Sequence, residues 1–404
     1  MTQWDPTRKA ALERLHAFVP SAGRAYAEGR NADLGPQDRS NVSALSPYIR
    51  RRMVTEEEVV AAVLKQHSFA AAEKFIQEVA WRTYWKGWLE MRPAMLDRFN
   101  GERIALKTRL DNESALARRY AQATEGNTGI ACFDAWVAEL RDYGWLHNHT
   151  RMWFASIWIF TLGLPWQLGA DFFYKHLADA DPASNTLSWR WVAGLHTAGK
   201  HYLARAENIE RNTGGRFAPY GELNERAVPL SEDAFPLPVT PIAPAPPYSG
   251  GPCAVLLTEE DLHPESWPES FGVKAEVAAI AVLPSATVHA PNSPAAHFSA
   301  AALQDGAERA AAFFNAPATF VEASDIPAWL EQQNVASLVT AQVPVGMIAW
   351  ELKTLNDVLK MQGAQLIQLR REWDDMLWPR ATAGFFKLKT ALPDVIARLD
   401  LGRA

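Results

Sequence analysis

Two cysteines in 404 residues, Cys132 and Cys253, leave no room for a disulfide framework, and neither stands in a CxxC-type cluster that would hold zinc or iron and sulfur. A reducing cytoplasm is the expected compartment. No charged-then-apolar leader opens the sequence, and the longest apolar run, Met152 to Leu164, is interrupted by Ser156 and Thr161 and falls short of a membrane span. It reads as a buried helix, with no membrane partner. No GxGxxG or Walker pattern follows a strand-like run, so no nucleotide fingerprint of that kind is present. The net charge of −6 hides an uneven split: residues 1–230 carry 29 basic and 26 acidic side chains, residues 231–404 carry 11 and 20. The mildly basic first half removes an objection to a polyanionic partner, although ordinary solvated faces explain it equally well.

What the chain does have is tryptophan, sixteen in all and eleven of them before residue 192, beyond what core filling usually requires, although a large aromatic core would also account for them. Up to about residue 220 apolar residues recur at three and four, as in "TEEEVVAAVLKQ" (55–66) and "FAAAEKFIQEVAWRTYWKGWLEM" (69–91), which predicts helices throughout. Thr55 and Glu58 have the spacing of a capping box. Residues 228–252 are proline-rich and aperiodic, a linker able to span on the order of 60 Å if extended. Beyond it, short apolar runs at 253–258, 277–284, 318–323, 336–342 and 364–370 alternate with helical patterns at 301–314, 326–334 and 347–363, the signature of a parallel sheet flanked by helices.

Four stretches carry candidate chemistry. In "NVSALSPY" (41–48), Ser43 and Ser46 precede a helix, where hydroxyls and free N–H groups hold a diphosphate or simply cap the helix. In "EVAWRTYW" (78–85), Glu78, Trp81 and Arg82 share one broad helix face, either a site wall or a surface charge beside core indole. In "HNHTRM" (147–152), Asn148 and Arg151 share a face, while His147 and His149, two apart, diverge and argue against a metal. In "ADADPASNTLSWRW" (178–191), two acids two apart would by themselves mark a solvated turn.

Taken together, in this order from Tyr26 to Trp191, these stretches resemble the FAD-binding helical domain of the photolyase and cryptochrome family. The resemblance implies that Tyr26, Ser43, Leu45 and Ser46 bind the FAD diphosphate region, with Val42 where a threonine is common. It implies that Arg82 faces the FAD, that Arg151 pairs with Asp179 beside the flavin ring, that Asp179 and Asp181 hold the isoalloxazine and ribityl groups, and that Asn185 faces flavin N5. Glu78, Trp81 and Trp191 would line a substrate cavity. Asn148 and Met152 stand where enzymes for (6-4) photoproducts have two histidines, which points to cyclobutane pyrimidine dimers. Trp189 and Trp166 match the inner and middle members of an electron-transfer chain. An outer tryptophan is missing from residues 107–122, so either another aromatic, Tyr120, Trp153 or Trp158, finishes the route or photoreduction is poor. Arg50, Arg51 and Arg52 either grip DNA phosphates or form a solvated helix face.

The expected architecture is multidomain, α and α/β: an all-α FAD-binding photolyase-like domain over 1–227, the linker over 228–252, and a Rossmann-like α/β domain with a parallel sheet over 253–404. In the family an antenna domain comes first. Here "CAVLLTEEDLHPESW" (253–267) resembles its first strand and "DDMLWPRATAGFFKLKTALP" (374–393) its final strand and exit, so a circular permutation is expected. The cofactor is FAD, with room for a second, antenna chromophore of unidentified kind. The expected partner is UV-damaged DNA and the expected state a monomer. The expected function is light-driven repair of pyrimidine dimers; the alternatives are a cryptochrome-like photoreceptor that binds FAD without repair and a flavoprotein with dark redox activity.

Overall fold

A computed structural model describes residues 4–233, 237–246, 248, 250–267, 276–287 and 289–402. Through Asn212 the described residues form helices and no strand. Local chemistry sets their starts. Thr55 and Glu58 close a reciprocal capping box on the helix Glu56–Leu64. Ser68 accepts from the Ala71 N–H to open the 22-residue helix Phe69–Glu90. Asp181 accepts from Ser184, with Pro182 just inside, to open Pro182–Ala193, and Gly194 closes that helix in the left-handed region. The apolar run after Arg151 is buried helix that loosens into one π turn at Ile157–Thr161. No helix among the described residues is long and apolar enough to cross a membrane.

Beyond the proline-rich segment lie five parallel strands, β1 (Cys253–Leu257), β2 (Val277–Val282), β3 (Ala318–Phe320), β4 (Ser337–Ala341) and β5 (Gln365–Leu369), in the order β3-β2-β1-β4-β5. Their period of two assigns each residue a face. Cys253, Val255 and Leu257 join the apolar cluster continuous with the helical part, while Ala254 and Leu256 join a second cluster beneath the helices Ile326–Gln332 and Met347–Met361. Both faces are covered, which is why β1 reads as an unbroken apolar run.

Two expectations are corrected. The helix read at 301–314 begins at Pro294, capped by Ser293. Residues 374–393 contain no strand; they form the helix Glu372–Leu377, a 3-10 turn, the helix Phe385–Lys389 and the start of Leu392–Arg398. That tail lies along Phe69–Glu90 because its tryptophans find seats there. Trp373 donates its indole N–H to Thr83 at 2.9 Å, and the backbone of Trp378 sits where a side chain on Gly87 would be.

A third correction concerns Arg50, Arg51 and Arg52, which are neither solvated nor free for phosphate: each is at most 2% exposed. Acidic residues that follow β1 meet them. Arg50 pairs with Glu260 at 2.7 Å, Arg51 with Glu259 at 3.6 Å, and Arg52 with Asp374 at 2.6 Å and Asp261 at 3.7 Å. Arg371 completes the group on Asp261 at 2.7 Å. Three arginines in a row look like a polyanion grip until the carboxylates more than two hundred residues away are folded onto them. Left unpaired, each would carry a desolvation penalty of several kcal/mol.

Candidate functional site

The loop between Trp166–His176 and Pro182–Ala193 brings its two aspartates to two arginines from different helices. Asp179 receives Arg151 through both guanidinium nitrogens, at 3.1 and 2.9 Å. Asp181, besides capping its helix, receives Arg82. Burial alone would raise both carboxyls; instead the Arg151 guanidinium beside Asp179, and Arg82 with Lys86 beside Asp181, hold them below the usual carboxylate range. The acids are buried, while the side chains of Arg82 and Arg151 keep 13% and 23% of their surface accessible. Each guanidinium is thus anchored on one side and presented on the other.

Several of the remaining predicted residues share partial exposure inside a dense helical core. Ser43 and Ser46 are half-buried, Met152 is half-buried and Asn148 is exposed. Ala44, between the serines, has φ 49°, a left-handed conformation costly for a residue with a side chain. Strain of this kind gathers where a backbone must meet a ligand. Ser46 Oγ accepts the Trp145 indole N–H at 3.0 Å, and Ser43 Oγ accepts the Leu45 N–H at 3.4 Å; the Leu45 side chain itself is core. Asn185 donates to the Ala170 carbonyl at 2.7 Å, leaving its own carbonyl oxygen for another partner.

Tyr26 packs edge-on against Phe18 and Phe75, and burial pushes its phenol well above the ordinary value. Nearby, Arg30 lies 3.9 Å from Glu78. Glu78 is 38% accessible at its side chain, yet desolvation raises its pKa, with Arg30 opposing. A carboxyl that is wet but surrounded by protein is what a concave wall produces. His147 caps the next helix through the His149 N–H, and His149 contacts the Asn31 carbonyl and Tyr202.

The aromatic residues divide. Trp81 stacks on Phe385, ring centroids 3.9 Å apart and planes within 11°, a contact that no local pattern signals because 304 positions separate the two. Trp191 instead stacks on Tyr202 at 6.0 Å. Trp189 has Phe154, Trp158 and Phe173 as ring neighbours, and Trp158 in turn meets Tyr120 at 6.0 Å, whereas Trp166 stacks on Phe99. Gly169 makes the Trp189–Trp158 approach possible, since a side chain there would collide with both indoles.

This donor set suits a group that is anionic at one end and a polar aromatic ring at the other: hydroxyls and a strained loop for phosphate, two anchored guanidiniums and an amide for ring heteroatoms. Comparison with known proteins agrees in kind. Residues 75–234 match the family model described as the FAD binding domain of DNA photolyase. That range holds every predicted site residue except Tyr26, Ser43, Leu45 and Ser46. The chain is 32% identical over 195 residues to the deoxyribodipyrimidine photo-lyase of Agrobacterium fabrum, covering 47% of this chain and 39% of that one. It is 29% identical over 225 residues to that of Thermus thermophilus, covering 56% and 51%. The chain therefore spans about half or less of these relatives' length. Among solved structures, a class III photolyase from Agrobacterium tumefaciens aligns with a TM-score of 0.44 at 29% identity over 52% of this chain and 44% of that one. A Synechocystis cryptochrome aligns with the same score and coverage at 22% identity.

Proposed function

The chain belongs to the photolyase and cryptochrome family, and on that premise we propose that it is a light-driven lyase that repairs cyclobutane pyrimidine dimers in DNA with reduced FAD. The observation that carries the reading is the double pairing Arg151–Asp179 and Arg82–Asp181, which fixes two cations at one wall with their acids buried behind them. When bound, reduced FAD supplies on illumination the electron that opens the cyclobutane ring. The chain's own residues bind and orient. Ser43, Ser46 and the backbone near Ala44 take the diphosphate; Arg82, Arg151 and Asn185 take the ring system. Glu78, whose carboxyl desolvation pushes up from its ordinary range, hydrogen-bonds a pyrimidine of the dimer and stabilises the negative charge that develops there. Trp81 offers a ring face to the extruded dimer.

A blue-light receptor that keeps FAD without repair is the second reading, favoured by the cover that Phe385 places on Trp81. The test is illumination of the reduced, FAD-loaded protein with dimer-containing oligonucleotide. Restoration of intact pyrimidines supports repair; none, with light-dependent binding of a partner, supports the receptor. We further read the sheet part as an antenna-like domain that follows the helical part in the sequence. A rearranged chain carrying 253–404 ahead of 1–227 that folds and holds flavin would support this; one that cannot fold would count against it.

A further inference from the structure

We propose that Phe385 is a gate on the cleft, occupying the face of Trp81 on which an extruded base would stack and yielding that face only when the base displaces it. The proposal rests on the reading of Trp81 as a wall of the substrate cleft. At 3.9 Å and 11° the Trp81–Phe385 pair is the tightest ring stack among the described residues, and its geometry is that of a base on an aromatic platform. While it persists, that face of Trp81 is closed.

The surroundings of Phe385 fit a part that moves on a fixed mount. Upstream, the segment is tied to the helix Phe69–Glu90 and the turn after it: Trp373 donates to Thr83, Tyr84 donates its hydroxyl to the Ala383 carbonyl at 3.0 Å, and Arg92 donates to the Thr382 carbonyl at 2.7 Å. Downstream, Lys389 pairs with Glu73 at 3.1 Å. Before Lys389 lie the exposed Gly384, which has open space around it, and the start of a helix of only five residues, anchored near its end by the buried Leu388. Phe386, next to the gate, is 78% exposed, so the segment already tolerates a phenyl ring in water.

A tethered ring competes with an incoming base at a high effective concentration. A pyrimidine dimer, poorly stacked in its strand, costs least to extrude and so displaces the ring most readily, whereas an undamaged base bears the cost of extrusion as well as that of displacement. Phe385 would therefore sharpen discrimination as well as shield the cleft.

The test is dark binding of the full-length, FAD-loaded protein to a labelled single-stranded oligonucleotide with one thymine cyclobutane dimer, and to its undamaged twin, by fluorescence anisotropy. Phe385→Ala and Phe385→Leu should tighten the Kd for the dimer strand about two- to tenfold, the value of one ring pair, with little change for the twin. Phe385→Trp, a better stacker, should weaken it and guards against misfolding of the smaller variants. Trp81→Ala separates the two layers of argument. If Trp81→Ala weakens dimer binding but the Phe385 variants do not shift it in these directions, the gate is overturned and the cleft survives. If Trp81→Ala leaves dimer binding unchanged, the cleft reading fails and the gate with it.

Discussion

Arg151 meets Asp179 with both guanidinium nitrogens while the aspartate lies wholly behind it, out of water. A pair so arranged is strong evidence of constraint and weak evidence of stability, since its formation offsets a desolvation cost that apolar side chains would not incur. Asp179→Ala should therefore destabilise the protein by about 3–5 kcal/mol, and Asp179→Ala with Arg151→Met should recover part of that loss. Urea midpoints of the two variants and the parent decide it; a double variant less stable than the single one contradicts the account.

The buried cluster of Arg50, Arg51 and Arg52 against Glu260, Glu259 and Asp374 gives a second expectation. Arg52→Ala should cost about 3–5 kcal/mol. By contrast, the dependence of DNA affinity on salt should not change, because a buried arginine releases no counterions from DNA. A shallower salt slope in a stable Arg52→Ala protein would return these residues to the nucleic-acid surface.

Gly87 faces the backbone of Trp378, where a β-carbon would come within 2.7 Å of the Trp378 Cα. Gly87→Ala should lower stability by about 1–3 kcal/mol through overpacking and loosen the C-terminal segment first. Hydrogen exchange resolved by peptide would show faster exchange across residues 372–389 than elsewhere; a uniform change contradicts it.

Burial holds five imidazoles, those of His147, His176, His196, His263 and His289, down at about 4. Unfolded, they take up protons below about 6.5, so between these values the unfolded chain binds more protons and stability falls as pH falls. Glu57, Glu90 and Glu139, raised by burial to about 7, act in the opposite direction between about 4.5 and 7. The histidines outnumber them, leaving a net loss on the order of 2–3 kcal/mol per pH unit across that window. Below it, Asp179 and Asp181, held low by their arginines, add to the loss as they protonate. Thermal midpoints should drop from pH 6.5 to 4.5, and a midpoint that rises as pH falls contradicts the balance.

How much of this was legible in the sequence depends on the range of each interaction. The five strands of the sheet and the capping box at Thr55 rest on neighbours a few positions apart, and each lies where periodicity and side-chain chemistry put it. The Arg151–Asp179 pair was reachable only through the order of the motifs. Arg50–Arg52 and the Trp81–Phe385 stack were not legible, because a side chain's exposure is set by whatever folds against it from far along the chain. The strand expected at 374–393 became helices for a related reason: Trp373 and Trp378 dock on a helix, not on a sheet edge.

On the proposed reading, Glu78 is the residue at which repair and simple flavin binding part company. Glu78→Ala should cut the repair yield substantially while leaving the bound flavin in place, and Glu78→Gln, which keeps a donor, should fall between. Yields per absorbed photon, with flavin content measured on the same samples, test this; loss of flavin in Glu78→Ala would move the residue from substrate to cofactor.

The most direct measurement is the visible absorption of the purified full-length protein before and after addition of FAD and gel filtration, with Asp179→Ala alongside. The account predicts about one flavin per chain retained by the parent and a large loss in Asp179→Ala. A folded parent that elutes colourless after exposure to FAD would contradict it.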